Sequence, residues 1–358
     1  MPWPVTVLLT GTMPSVEKAL VIRFSSVGDI LLSSLLLRVF RKRFPACRLD
    51  YLVKQQYAEL VRHNPHVSNV IEFPNGGTFQ ELAGVKRRVG ETGYDLIIDI
   101  HDSLRSRYIC VGQPNVVRIN KWKVARFLLV QTKLNLYSSQ GGSSSVAERY
   151  LESVARFGIE NDGKGLEVFF PEQAEDAAKE LLGSESSSFI GLAPGAVHST
   201  KRWTAEGFAG TAAALAREQK AGVILFGAEA DIERCRAIET MITESAPRIR
   251  VLNLAGRTSL LEAAAIMDHC SIIITNDSGL MHLATARKRR VVALFGPTVK
   301  EFGFFPYGTD SVVVENHELD CRPCTHIGGP VCPKKHFRCM NDITPGHVLT
   351  AARRILGE

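Results

Sequence analysis

Two doubly wound α/β domains facing a cleft are predicted by three observations. Short β-branched runs alternate with amphipathic stretches along the whole chain, as expected of parallel strand-helix units. The runs fall into two sets, separated by the glycine- and acid-rich stretch "GIENDGKGLE" at 158–167. The length, 358 residues, suits two domains of about 100–200 residues, each with its own core.

The first set reads "ALVIRF" (19–24), "RLDYLV" (48–53), "NVIEF" (69–73), "DLIIDI" (95–100) and "NVVRI" (115–119). Between its first two members lies "DILLSSLLLRVFRKRF", whose apolar spacing predicts one long helix. The second set reads "FIGLA" (189–193), "GVILFG" (222–227), "IRVLNL" (249–254), "SIIIT" (271–275), "RVVALFG" (290–296) and "SVVVE" (311–315). Each set predicts one open sheet. The polar stretch "LYSSQGGSSSVAERY" (136–150) reads as a flexible loop and residues 158–167 as the linker. The expected domains are therefore 1–165 and 166–344, with residues 345–358 a closing helix.

Apolar content of 45% and charged content of 22% describe a globular protein, and no run reaches the roughly 18 apolar residues of a membrane helix. The N-terminus lacks the basic leader of a secretory signal, so residues 1–18 read as an extension, with Met13 an alternative start. Eight cysteines without an export signal point to reduced thiols in the cytoplasm. Charge is uneven: residues 1–165 hold 22 Lys and Arg against 14 Asp and Glu, and residues 166–358 hold 21 against 23. The basic clusters 41–43, 86–88 and 118–126 are either solvated helix faces or a surface for an anionic partner.

In open α/β sheets, ligands bind beyond the carboxyl ends of strands, so the turns there carry the chemistry. In "IRFSSVGDILL" the turn Ser25 to Asp29 leads from strand to helix. Gly28 permits a close approach, and Asp29 at the helix start is either a cap or a carboxylate able to take a proton from a hydroxyl. A single glycine here, rather than a G-x-G-x-x-G fingerprint, weakens a dehydrogenase reading.

In "GLAPGAVHSTKRW" the turn amides and the Lys201 ammonium form a candidate diphosphate site, while Trp203 reads as a packing anchor. Glu229, after "VILFG", suits ribose hydroxyls or a helix cap. In "SIIITNDSGLMHLATA" an apolar strand ends at Asp277, Ser278 and Gly279, and the amides of the next helix can receive a phosphate. Asp277 would repel that phosphate, so it is expected to bind a hydroxyl or orient the turn. His282, on the first helical turn, reads as a packed residue rather than a catalyst.

Together "VIRFSSVGDILLSSLLLRVFRKRFP", "APGAVHSTKRW", "FGAEAD", "TNDSGLMHLATA" and "VVALFGPT" resemble the ADP-heptose:lipopolysaccharide heptosyltransferases, glycosyltransferase family nine, over roughly Ala19 to Leu356. The resemblance implies the GT-B type fold, two Rossmann-like domains with the acceptor on the first and the sugar nucleotide on the second. It implies inverting transfer of heptose from ADP-heptose to an anionic lipopolysaccharide core sugar, with no cofactor and no nucleic acid, in the cytoplasm or peripherally at the inner membrane.

By the same resemblance Asp29 is the general base and Lys201 the phosphate-binding lysine. Glu229, Asp277, Ser278, Gly279 and His282 bind the donor, and Ser26, Gly28 and Arg105 are acceptor candidates. Ala196 and Val197 stand where some members carry hydroxyl residues, which leaves the diphosphate to the backbone or to Ser199 and Thr200. The closing helix is expected to cross back onto the first domain. Two alternatives remain: a sugar-nucleotide epimerase, and a non-catalytic nucleotide- or polyanion-binding module.

Cys321, Cys324, Cys332 and Cys339, spaced C-x2-C-x7-C-x6-C, are a structural zinc candidate. Packed thiols or a disulfide are the other readings.

Overall fold

The computed structural model describes residues 15–137, 145–183 and 188–357. Most of the N-terminal extension, Met13 included, lies outside them, as does the centre of the polar stretch 136–150.

The first half runs β1 (Lys18–Ile22), α1 (Val27–Leu32), α2 (Ser34–Arg43), β2 (Arg48–Lys54), α3 (Glu59–Arg62), β3 (Asn69–Phe73), α4 (Phe79–Thr92), β4 (Leu96–Asp99), α5 (Leu104–Cys110), β5 (Val116–Arg118), α6 (Lys123–Thr132) and α7 (Val146–Glu152). The second runs α8 (Glu172–Leu182), β6 (Phe189–Ala193), α9 (Ala205–Gln219), β7 (Gly222–Leu225), α10 (Ile232–Ser245), β8 (Val251–Asn253), α11 (Leu260–Met267), β9 (Cys270–Asn276), α12 (Gly279–Ala286), β10 (Val291–Phe295), β11 (Ser311–Glu315), α13 (Arg338–Asn341) and α14 (Pro345–Leu356).

Every strand run read from the sequence is a strand, shortened at some ends. All pairings are parallel, in the orders β3-β2-β1-β4-β5 and β11-β10-β9-β6-β7-β8. The inner strands β1, β2, β4, β6, β7, β9 and β10 are buried on both faces by flanking helices, which is why they read as continuous apolar runs; the edge strands are half-buried. The order in which successive strands are added reverses between β1 and β4 in the first sheet and between β6 and β9 in the second, while every strand keeps the same direction. The turns after β1, β6 and β9 therefore border switch points, where an open sheet leaves a crevice.

Three expectations are corrected. The long helix after β1 is broken at Ser33, because the hydroxyls of Ser33 and Ser34 donate back to the carbonyls of Ile30 and Leu31 at 2.6 Å each. Ser34 Oγ also accepts from the Glu167 amide at 3.0 Å, joining this break to the linker. The polar stretch 136–150 is not wholly loop: Ser145 caps α7, accepting from the Ala147 amide, and α7 buries Val146, Ala147, Tyr150 and Leu151. Finally, α14 stays on the second sheet, where Val348, Ala351 and Ala352 join the core formed by α9, β9 and β10. Arg353 pairs with Glu218 of α9 at 2.6 Å. The apolar stripe of α14 packs against α9, β10 and β11, so burial holds the helix there.

Among the described residues, no helix is long and apolar enough to cross a membrane.

Candidate active site

The turns at the two switch points meet. A Cβ added to Gly28 would stand 2.5 Å from Cδ2 of His282, and one added to Gly279 would stand 2.9 Å from Cβ of Val27. The N-termini of α1 and α12 thus touch backbone to side chain in both directions, and only glycine fits at either contact. His282 is buried, and its Nδ1 has no hydrogen-bond partner among the described residues. Burial outweighs the opposing fields of Asp277 and Asp29 and pushes its pKa down to about 4, so the ring is neutral at ordinary pH.

The Asp29 carboxylate caps α1 and also faces a cavity. As the third helical residue of α1 its Oδ2 accepts from the backbone amide of Ser26 at 3.3 Å and from its hydroxyl at 2.9 Å, a capping arrangement. Oδ1 faces Arg23 Nη2 at 2.6 Å and accepts from the Tyr150 hydroxyl at 3.4 Å. Arg23 is fixed by donating to the Ile100 carbonyl at 2.7 Å. Burial opposes ionisation of Asp29, but the Arg23 charge and the Ser26 hydrogen bonds outweigh it and hold the carboxyl below its usual range. The carboxylate is 15% exposed and opens onto a cavity of about 200 Å³. Arg23, Lys121, Arg126, Arg149 and His326 line it, and Asp29 is the one acid among the described lining residues. Such a cavity suits an anionic ligand presented to a single base.

On the other side of α1 lies a larger cavity, about 610 Å³, with Val27, Glu59, Gly195 to Val197, Gly227, Ala228, Asp231, Thr258, Ser259, Ser278 and Gly279 in its wall. Ser278 caps α12 without a side-chain bond, and its buried Oγ has no partner among the described residues. That hydroxyl and the free amides of α12 are available to an anion. Lys201 Nζ sits 2.7 Å from Asp277 Oδ2, which also accepts from Thr298 Oγ1 at 2.7 Å. Asp277 therefore orients Lys201 and the turn rather than offering a free carboxylate.

Asn276 ties the two turns of the second sheet together. Its Oδ1 accepts from the Trp203 amide at 3.1 Å and its Nδ2 donates to the Pro194 carbonyl at 2.7 Å. Trp203 is fully buried and donates its indole N–H to the Ile343 carbonyl at 2.9 Å, a packing anchor as expected.

Thr200 is not free for a diphosphate: its Oγ1 accepts from the Gly329 amide at 2.8 Å and donates to the Gly329 carbonyl at 3.0 Å. Glu229 is exposed on the turn between lining residues Ala228 and Ala230. Its neighbour Asp231 is the buried acid there, accepting from the Ala228 amide at 3.1 Å and packed against Gly195, where a Cβ would stand 2.3 Å from Oδ2. Arg105 is exposed on α5 and lines neither cavity.

The cysteines do not fit a zinc site. All four are free thiols, Cys339 buried and the others half-buried, and Cys321 Sγ lies 3.9 Å from His336 Nε2. Among the described residues no three His, Cys, Asp or Glu side chains converge to hold a metal. Their loop instead packs over the Pro194–Lys201 turn through Thr200 and Gly329.

Sequence reasoning missed Arg23, Tyr150, Arg149, Glu59 and Asp231. Only the basic cluster around Lys121 gave a signal, through its charge.

Residues 82–334 match glycosyltransferase family 9 (heptosyltransferase). The chain is 31% identical over 360 residues to lipooligosaccharide heptosyltransferase 2 of Haemophilus influenzae, covering 95% of this chain and 99% of that one. It is 31% identical over 299 residues to lipopolysaccharide heptosyltransferase 2 of Salmonella typhimurium, covering 80% and 84%. Among solved structures, the ADP-heptose lps heptosyltransferase II of E. coli superposes with a TM-score of 0.72 at 26% identity, over 95% and 98% of the two chains. The glycosyl transferase family 9 structure from Veillonella parvula gives 0.76 at 23% over 95% and 97%, a likeness of fold. A UDP-GlcNAc 2-epimerase of Methanocaldococcus jannaschii shares the architecture alone, at 12% identity and a TM-score of 0.52. With a family match over most of its length and relatives alike from end to end, the chain belongs to glycosyltransferase family 9 and is a glycosyltransferase of the GT-B type fold.

Proposed function

We propose that this enzyme transfers heptose from ADP-heptose to a core sugar of lipopolysaccharide, with inversion at the anomeric carbon. The observation that carries the reading is the pair of cavities divided by the first turn of α1: Asp29 opens on the smaller and Val27 on the larger. The larger takes the nucleotide, with its diphosphate against the α12 amides, Ser278 and Lys201; Glu229 at the rim is in reach of the ribose. The smaller, with its cations, takes the anionic acceptor. The exposed Ser26 hydroxyl gives way on Asp29 Oδ2, and the acceptor hydroxyl takes its place. As that oxygen attacks the anomeric carbon from the face opposite the diphosphate, Asp29 accepts its proton. Lys201 and the helix amides stabilise the charge that grows on departing ADP.

The division of the chain near residue 165 and a place in the cytoplasm beside the inner membrane belong to the same reading; the expected extension does not reach residue 18, because Val16 is buried in the first core and Lys18 opens β1. Its test is mass spectrometry of a defined core acceptor incubated with a panel of nucleotide sugars. The expected product is heavier by one heptose and forms only with ADP-heptose, with release of ADP. Turnover with a different nucleotide sugar and none with ADP-heptose would overturn the donor; product from the nucleotide sugar alone would overturn transfer itself.

A further inference from the structure

Three consecutive helices of the first domain begin with exposed apolar side chains. Phe79 opens α4 at 69% exposure and Leu104 opens α5 at 88%. On α6, Val124 and Phe127, one turn apart, are 69% and 63% exposed. The three helices follow β3, β4 and β5, so their first turns lie at the carboxyl edge of the first sheet, the edge that carries Asp29. The Phe79 ring lies 5.2 Å from that of Tyr108, one turn beyond Leu104 on α5. Asp102 pairs with Arg107 of α5 at 2.7 Å and with Lys123 of α6 at 3.1 Å. The apolar tips thus form one band, interleaved with Lys86 over the Tyr108 ring and the exposed Arg105, Arg107 and Lys123. Lys121 lines both the cavity between α5 and α6 and the one that holds Asp29, so the band borders the acceptor side.

Exposed apolar tips among cations match a bilayer with anionic headgroups, where the tips leave water while the charges meet phosphates. We propose that this edge is a membrane-docking surface, with Phe79, Leu104, Val124 and Phe127 entering the boundary between headgroups and acyl chains. The proposal rests on the reading of the acceptor as a lipid-borne sugar, which docking would bring to the mouth of the Asp29 cavity.

The test uses the full chain, sedimented with phosphatidylcholine vesicles with and without phosphatidylglycerol, and compares a Phe79→Ser/Leu104→Ser/Phe127→Ser variant. The wild type should pellet with the anionic vesicles and be released by salt. The variant, with unchanged melting temperature, should bind them roughly tenfold or more weakly. Its turnover of a deacylated, water-soluble core acceptor should equal that of the wild type. Absence of wild-type binding, or equal binding by the variant, would overturn the proposal. So would loss of turnover on the soluble acceptor, because the tips would then belong to the sugar site. If the wild type fails on that acceptor while vesicle binding still depends on the tips, docking stands and the transferase reading falls.

Discussion

Gly28 of α1 and His282 of α12 are in such close contact that no side chain fits between them: a Cβ on Gly28 would overlap the imidazole at 2.5 Å. This contact locks the two domains' switch-point turns together beside Asp29. Gly28→Ala should therefore cost about 1–3 kcal/mol of stability, as overpacking of a buried contact does, and should lower kcat by displacing Asp29. Gly84, in α4, has open space around its Cα. Gly84→Ala should instead stabilise by about 0.5–1 kcal/mol. Thermal unfolding of both variants checks the opposite signs; a stabilised Gly28→Ala would show that the two helices are free to separate.

Arg23 keeps Asp29 ionised in a buried place. Because the Asp29 pKa is lowered, the acid limb of kcat/KM should lie below the ordinary carboxylate value of about 3.9. Arg23→Met removes the charge and leaves burial opposed by the Ser26 hydrogen bonds, so the limb should move to higher pH. A pH profile that stays in place while activity falls uniformly would mean that Arg23 acts on packing alone.

Lys201→Ala should raise KM for the nucleotide sugar and also lower kcat, since its charge meets the diphosphate in both ground and transition states. It also leaves Asp277 with Thr298 as its remaining side-chain partner. Asp277→Asn should therefore weaken donor binding less than Lys201→Ala, because the ammonium survives. Initial rates against donor concentration decide between them.

His282 makes stability depend on pH. Its pKa is about 4 in the folded protein, against about 6.5 for an exposed histidine. The unfolded chain therefore binds more protons in this window, and the stability from His282 is complete above pH about 6.5 and is lost as pH falls toward 4. Denaturant unfolding at pH 7 and pH 5 should show the loss, and His282→Gln should reduce its slope. An unchanged slope would place the titration elsewhere, at His101, held down to about 3, or at His326, which burial also holds low.

The strands were legible because buried parallel strands are apolar along their length, and Asp29, Lys201 and Asp277 were legible because they follow strand ends. The partners of these residues were not. Arg23 belongs to the run "ALVIRF" and nothing local marks it as a buried cation; its role appears only when β1 lies beside β4 and Ile100 offers a carbonyl. Tyr150 is 121 residues from Asp29 in sequence. The break at Ser33 was hidden because two serines suit a helix pattern until their hydroxyls turn back on the carbonyls. In α14 the apolar stripe announced burial but not the sheet that would bury it.

The most direct test of the account is the Asp29→Asn variant, assayed for kcat with ADP-heptose and a core acceptor and, separately, for donor affinity by calorimetry. Asn keeps the shape and much of the capping at α1 while removing the proton acceptor. The account predicts a fall in kcat of roughly 10²–10⁴-fold with donor affinity nearly unchanged. Near-normal turnover by Asp29→Asn would contradict it, leaving Asp29 a helix cap and the base elsewhere.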